Sequence, residues 1–429
     1  MNDVPRTENR LIKLLQASGY LVSGVVEKAS GLWNSYLLTR RHLPLPLDQE
    51  LTQHYSSLLV APLHNDDGRL SSISDTELCS HIRSETALLN LNNLTRTDAY
   101  LTIFKSFPEL HWALLAHLVS RNGGWNMTDL RGQWHPQLLD EQKISLIFEL
   151  LEACNCLIFS DAYPQLRLYI ESKRIGRNLF YLLPQFGVSA FMVPFWNTFW
   201  QDGNPIPLTE ALIINEQHFI QARVVEDDTY EHEIFHSLAF RSQPLLQLNQ
   251  IVFPLWREPR AKRNIPLRLV GRVLENFRDL NERIEFGKCL YGILYGYPNI
   301  LKAAIAFAER IPHTGSRADY WPHRFTPAHD HNNKADDTSE LTDSTADPIS
   351  SRWFSPSLLE AWPNRPLKQA TEKDWYQDLN VLSHLTSIKL PRVIDMTHEH
   401  LFGQSKLQEA VLLERSFMKG ASNRRTGRG

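Results

Sequence analysis

Apolar residues recur at intervals of three and four along most of this chain, with polar residues between them. This spacing places the apolar side chains on one face of an α-helix. It predicts helices over 8–41, 145–159, 208–225, 228–240, 267–280 and 282–295, and helix starts at 74–77, 95–98 and 107–109. Strand signals are scarce, because no Asn-Gly turn separates two runs of alternating hydrophobicity. We therefore expect an all-α protein with one large helical core.

The pattern changes sharply at 328–351, which is acidic and almost free of large apolar side chains. Such a stretch cannot offset the entropy lost on ordering, so we expect a disordered acidic linker. Beyond it, Trp353, Trp362 and Trp375 are too apolar for a free tail, so 352–413 should pack back onto the core. The division that follows is an N-terminal helical extension at 1–70, a helical core at 71–327, the linker, the docked C-terminal segment and a basic flexible tail at 414–429.

The amino-acid composition indicates the broad class of protein but not a reaction. The chain has 429 residues, of which 42% are hydrophobic and 22% are charged, and a formal net charge of −3. It thus carries no global attraction for polyanions and no specific nucleic-acid signal. Four unpatterned cysteines and the lack of a signal-peptide pattern favour a cytoplasmic protein.

One stretch resembles a membrane segment. Residues 178–200 contain no charged side chain, are rich in aromatic residues and follow a basic cluster. However, Pro184, Gly187 and Pro194 divide the stretch into short pieces, since proline removes a helical hydrogen bond. We interpret it as broken helix inside a core. The alternative is contact with a membrane surface, which would make the protein peripheral to the membrane.

The motif His232-Glu233-Ile234-Phe235-His236 reads H-E-x-x-H, the zinc protease signature. On a helix, His232 and His236 would lie one turn apart and bind zinc, while Glu233 would act as the catalytic base. Against this, both histidines fall opposite the apolar stripe of the predicted helix, and no third ligand follows in the expected context. We therefore expect no cofactor, and the zinc-dependent hydrolase is the alternative.

Two polar, aromatic-rich turns stand out from these plain helices. In the first, at 121–134, Gly123 and Gly124 should end the helix that begins near 111. The second, at 313–324, surrounds Gly315. The residues that suit a ligand are Arg121, Asn122, Trp125, Asn126, Asp129, His313, Ser316, Arg317 and Asp319. They could bind an anionic or zwitterionic small molecule, or they could tie buried loops together through hydrogen bonds.

The blocks at 111–130, 313–323 and 354–362 give the chain a resemblance to a known group of proteins. In the sequences of these motifs and in their spacing, it resembles an uncharacterised family of unknown function from Bacillus-type bacteria. The resemblance covers roughly 75–379 and implies a cytoplasmic, helical bacterial protein. It brings no established activity and no functional residue. We therefore expect a binding or interaction protein, with a small ligand or a protein partner, whose working surface is formed by the turns at 121–134 and 313–324.

Overall fold

The computed structural model describes residues 28–47, 49–60, 73–226, 246–257, 267–328, 352–365 and 374–426. Within these ranges the chain is mostly helical, with two small sheets. The helices are α1 (28–39), α2 (Gln49–Val60), α3 (Ile73–Leu89), α4 (Asn93–Ser106), α5 (His111–Asp129), α6 (Glu141–Ile175), α7 (Met192–Asp202), α8 (Pro205–Ile220), α9 (Leu280–Tyr295), α10 (Pro298–Arg310), α11 (Leu358–Ala361) and α12 (Thr397–Thr426).

Four strands accompany the helices. Antiparallel β1 (Gln250–Leu255) and β2 (Arg268–Val273) form one sheet, with Gln250 opposite Val273. Parallel β3 (Phe325–Thr326) and β4 (Trp353–Phe354) form the other. The helix predicted over 267–280 is therefore wrong, because β2 occupies 268–273 and the chain then turns until α9 begins at Leu280. Gly271 explains the pairing, since a Cβ there would come within 1.9 Å of the Ile251 carbonyl oxygen and the strands could not approach so closely.

The central helix α6 shows how local sequence sets the helix bounds. Asp140 caps its first turn by accepting a hydrogen bond from the Lys143 backbone N–H at 2.9 Å. Lys173 and Arg174 occupy its last turn, where cations complement the helix dipole. The helix ends at Gly176, whose φ of +69° is the left-handed conformation that glycine adopts most readily.

The uncharged stretch 178–200 is part of the core. It forms a 3₁₀ turn (Phe180–Phe186) and the first part of α7, so it is broken as predicted. Phe180, Phe191 and Trp196 are fully buried, which removes their rings from any contact with a membrane surface. The buried rings count against this stretch as a membrane-contacting segment, and membrane contact through 178–200 stays a prediction. Among the described residues, no helix combines the length and hydropathy needed to cross a membrane.

The C-terminal residues pack on the same core. The Trp362 ring stacks on Phe148 with centroids 3.9 Å apart, and its Nε1 donates to the Met127 carbonyl at 2.8 Å. Trp375 Nε1 donates to Asn215 Oδ1 at 2.9 Å. The backbone of α12 stays helical to Thr426, although a flexible tail is expected from 414. Val411 of this helix is buried, and Leu407 belongs to the same apolar cluster as Trp362. Residues 329–351 and 427–429 lie outside the described ranges, so the linker stays a prediction.

Candidate functional site

The three blocks that carry the family resemblance meet in space. The end of α5 and the residues that follow it (121–134) contact 313–324 and 354–362, and we call this contact region the motif junction. Thr128 Oγ1 donates to the Gly315 carbonyl at 2.5 Å, and the Leu358 N–H donates to the Thr314 carbonyl at 2.8 Å. The Ser316 hydroxyl donates to the Ser355 carbonyl at 2.6 Å.

Helix α5 does not end at the paired glycines. It continues as a regular helix to Asp129, so a turn beginning at 121 is a wrong prediction. The glycines serve close packing instead of capping. A Cβ on Gly124 would lie 2.4 Å from Asn93 Oδ1 and 2.6 Å from His313 Nε2. Only a residue without a side chain lets the motif junction close at this point.

Arg317 is the centre of the motif junction. Its guanidinium forms an ion pair with Asp129 at 2.6 Å, and it donates to the Tyr320 hydroxyl at 2.6 Å and to Asn126 Oδ1 at 3.2 Å. The Arg317 side chain is 5% exposed and that of Asp129 is 13% exposed. Burial would lower the pKa of Arg317, but Asp129 and Tyr320 raise it above its ordinary value. Arg317 therefore forms its ion pair with Asp129 of α5 and not with nearby Asp319.

Arg121 and Asn122 are also engaged inside the protein. Arg121 donates to the Ile311 and Pro312 carbonyls at 2.8 and 2.9 Å and lies over the Phe307 ring. Burial lowers the pKa of Arg121 to about 10. Asn122 both donates to and accepts from the backbone of Val252, at 2.8 and 2.9 Å, so it fixes β1 against α5.

The remaining predicted site residues complete this network. His313 Nε2 lies 2.9 Å from Asn93 Oδ1, and burial lowers the pKa of His313 to about 4, so the ring is neutral at pH 7. Asp319 accepts from the Thr314 N–H and hydroxyl at 3.0 and 2.6 Å, and from Trp125 Nε1 at 3.4 Å. These side chains come together as expected, but their hydrogen-bonding groups are directed at one another. A ligand-binding role for them stays a prediction.

A small pocket lies beside Arg317 and Asp129. Its volume is about 30 Å³, which accommodates one water molecule but no organic ligand. Trp134 Nε1 and Gln404 Oε1, both of which belong to residues lining it, lack a hydrogen-bond partner among the described residues. One water molecule would suit this donor and this acceptor.

A much larger cavity lies on the opposite side of α5. Its volume is about 240 Å³, and it is enclosed by α4, α5, α6, α8, β1 and α9. Apolar side chains form most of the wall, including those of Trp112, Ala116, Leu150, Ile220 and Phe286. Asn126 alone of the nine predicted ligand residues lines this cavity.

Glu216 is the principal ionisable group in the cavity wall. Its carboxylate oxygens accept from Trp112 Nε1 at 3.2 Å and from Gln217 Nε2 at 3.1 Å. Burial, and to a lesser extent nearby Asp161, raise the pKa of Glu216 to about 8. At pH 7 the group is therefore mostly a neutral acid, able to donate a hydrogen bond into the cavity.

The other polar groups of the wall are acceptors or already engaged. Asn249 Oδ1 is buried and has no hydrogen-bond partner among the described residues. The Asn155 amide donates to the Leu151 carbonyl at 2.7 Å, which leaves its Oδ1 available. Arg283 donates to Gln217 Oε1 at 3.0 Å and to the Phe277 carbonyl at 2.5 Å, and also bonds Gln221. Burial lowers the pKa of Arg283 to about 10.

Sequence patterns do not select this cavity, because its wall comes from elements far apart along the chain. One signal was available in the sequence of α8, which is largely apolar but contains Glu210 and Glu216. Carboxylates in apolar surroundings often have raised pKa values, and such groups are frequent at functional sites.

The H-E-x-x-H motif lies outside the described residues, so the roles predicted for His232, Glu233 and His236 stay predictions. Within the described ranges, no group of three or more His, Cys, Asp or Glu side chains is arranged to hold a metal ion.

Comparison with known proteins gives a family and one close relative. The sequence profile of a family described as "Protein of unknown function (DUF2515)" matches residues 89–400. The chain is 32% identical over 343 residues to "Uncharacterized protein YppC" of Bacillus subtilis (strain 168), an alignment that covers 80% of this chain and 97% of the relative. No solved structure matches the chain. These findings confirm the resemblance to an uncharacterised Bacillus-type family.

Proposed function

This chain belongs to the DUF2515 family of proteins of unknown function, and we propose that it binds a small, neutral, largely apolar molecule in the 240 Å³ cavity. The observation that carries the proposal is a concave, mostly apolar cavity with Glu216 in its wall, where burial raises the pKa of that carboxyl group. A concave apolar site with a few convergent polar groups is the usual form of a small-molecule site.

The size of the cavity supports this function. A ligand that fills the cavity would cover its mostly apolar wall, and each Å² of apolar surface removed from water contributes about 25 cal/mol. Since ligand pockets usually have volumes of about 300–1,000 Å³, the ligand of this cavity should be small.

The polar groups define the chemistry of the ligand. Glu216 in its acid form supplies a donor, while Asn155 Oδ1 and Asn249 Oδ1 supply acceptors. A hydroxyl or a primary amide matches both, because each can donate and accept. A carboxylate is disfavoured, since four of the five N–H donors of Arg283 are already engaged by Gln217, Gln221 and the Phe277 carbonyl.

In this proposal the motif junction is scaffold. Its hydrogen bonds fix α5 against 313–324, and α5 in turn forms one wall of the cavity. Asn126 belongs to both regions, because its Oδ1 accepts from Arg317 while the residue lines the cavity. The zwitterionic or anionic ligand expected at the motifs is thus replaced by a neutral ligand in the cavity.

The experiment is a titration of the full chain with N-phenyl-1-naphthylamine, a neutral probe that fluoresces in apolar sites. Ala116→Phe places a phenyl ring in the cavity and should abolish probe binding while the chain stays folded. The matched control is Ala113→Phe, one turn earlier on α5, where the alanine is fully buried in packed core. We expect the control to destabilise the fold by about 1–3 kcal/mol, because packed core has no space for the ring.

Displacement of the probe then tests the chemistry of the ligand. We expect 1-octanol to displace it at concentrations at least about tenfold lower than octanoate, since an unpaired buried charge is costly. Better displacement by octanoate or octylamine would contradict a neutral ligand. Unchanged probe binding in Ala116→Phe would contradict the site itself.

A further inference from the structure

The first described helix has its apolar face directed outward. Leu32, Trp33, Tyr36 and Leu37 of α1 are 51%, 63%, 60% and 38% exposed. At 100° per residue these four side chains occupy one side of the helix. The Trp33 and Tyr36 rings contact each other with centroids 5.7 Å apart.

The opposite side of α1 holds the helix on the protein mainly through polar contacts. The buried Ser35 hydroxyl oxygen accepts hydrogen bonds from the backbone N–H groups of Ile394 and Asp395, at 3.1 and 3.0 Å. Leu38 is the apolar contact of this side with the core. The arrangement reverses the usual surface helix, in which the apolar face packs inward.

Five basic side chains are exposed on α1, on the bend after it and on the segment that packs against α1 through Ile394. Lys28, Arg40 and Arg41 come from α1 and the bend after it, and Lys389 and Arg392 lie on the segment that leads to Ile394. All five are exposed, and no ion pair with another described residue is found for them. Neither 28–47 nor 388–394 contains an acidic residue, although the whole chain has a net charge of −3.

Two further apolar side chains extend the surface. Val393 is 55% exposed and adjoins the Ile394 backbone that bonds Ser35. Leu43 is 56% exposed, and its N–H donates to the Gly296 carbonyl at 2.9 Å, which fixes the segment after α1 on the fold. We call the exposed side chains of 28–43 and 389–393 the basic aromatic face.

We propose that the basic aromatic face binds the surface of an anionic phospholipid membrane, with α1 lying in the plane of the interface. Charge complementarity selects this partner, because the face has five exposed cations and no acidic residue. Tryptophan and tyrosine favour the headgroup region, where the ring is buried and the polar atom stays hydrated. Leu32 and Leu37 supply the apolar contact that interfacial helices insert below the headgroups.

The test is flotation of the full chain with two kinds of vesicle. One kind contains phosphatidylcholine alone, and the other contains phosphatidylcholine with 30 mol% phosphatidylglycerol. We expect binding only to the anionic vesicles, weakening as salt rises. Arg40→Glu/Arg41→Glu and Trp33→Ser/Tyr36→Ser should each lower the affinity at least about tenfold. The matched control is Lys173→Glu/Arg174→Glu, another adjacent pair of exposed cations, which lies beside Tyr169 and Trp200.

The control should keep its affinity within about twofold, and the α1 variants should unfold at the temperature of the unmodified chain, since the exchanged groups are exposed. The control itself should unfold at a slightly lower temperature, because it removes two cations from the last turn of α6 and the ion pair of Arg174 with Glu171. Equal binding to both vesicle types, or an equal loss in the control, would overturn the proposal. The proposal would also be overturned if the unmodified chain does not bind vesicles and light scattering shows that it is a dimer, which Trp33→Ser/Tyr36→Ser converts to a monomer. The face would then bind a second copy of the chain.

Discussion

Replacing Arg317 by methionine separates a scaffold role of the motif junction from a ligand-binding role. The substitution keeps an apolar side chain in place but removes the guanidinium that contacts Asp129, Tyr320 and Asn126. The Asp129 carboxylate, 13% exposed, would lose its cation, and two further polar groups would lose a partner. Breaking a buried ion pair by removing one partner costs about 3–5 kcal/mol.

The chain supplies a matched control for this prediction. Arg365 pairs with Glu149 at the same N–O distance of 2.6 Å, but the two side chains are 41% and 42% exposed. Arg365→Met should therefore cost only about 0–1 kcal/mol. Arg317→Met combined with Asp129→Leu should cost less than Arg317→Met alone, because no unpaired charge would stay buried.

Urea unfolding followed by far-UV circular dichroism measures these differences from the midpoints and slopes. Under the scaffold account, Arg317→Met unfolds at clearly lower urea than Arg365→Met, and the double replacement recovers part of the loss. If Arg317→Met is as stable as Arg365→Met, the network does not hold α5 and the reasoning is refuted. If such a stable variant also loses ligand binding, the turns at 121–134 and 313–324 are the working surface that the sequence predicts.

Three further predictions concern single groups. Gly124→Ala should destabilise the fold by about 1–3 kcal/mol, because its Cβ would lie 2.4 Å from Asn93 Oδ1. The control Gly123→Ala should be nearly neutral, because its Cβ would first meet the cavity-lining Asn155 side chain, at 3.0 Å. Equal unfolding midpoints of the two variants would contradict this difference. The pKa of Glu216 is raised from 4.5 to about 8, so the folded state binds a proton that the unfolded state has lost. Stability should thus fall as pH rises from 4.5 to 8, more steeply than in Glu216→Gln, and parallel pH profiles of the unfolding temperature would count against a buried acid. Elemental analysis of the purified chain should find no stoichiometric zinc, whereas about one zinc per chain that is lost on His232→Ala would restore the hydrolase alternative.

The sequence predicts helices wherever one apolar face repeats over several turns. The spacing over 282–295 and 208–225 corresponds to α9 and to α8 with its π-helical extension (Gln221–Val225). The spacing does not predict the strand β2, because a short apolar run is compatible with a helix and with a strand. Its pairing depends on Gly271 approaching the Ile251 backbone, a contact that appears only in three dimensions.

The motif residues illustrate a second limit. Their density of polar and aromatic types correctly indicates that 121–134 and 313–324 are unusual, and the two segments meet. Which partners they choose depends on the fold, since Asp129 is separated from Arg317 by 188 positions. The cavity is still harder to predict from the sequence, because Trp112, Glu216 and Phe286 line the same wall only after their helices pack.

The most direct test of the proposed cavity site is calorimetric titration of the full chain with 1-octanol at several temperatures. We predict one site per chain and a negative heat-capacity change, the mark of apolar surface buried on binding. We also predict that Ala116→Phe removes the binding heat while the fold is retained. Absence of saturable binding, or the same heat in Ala116→Phe, would contradict a ligand site between α5, α6, α8 and α9.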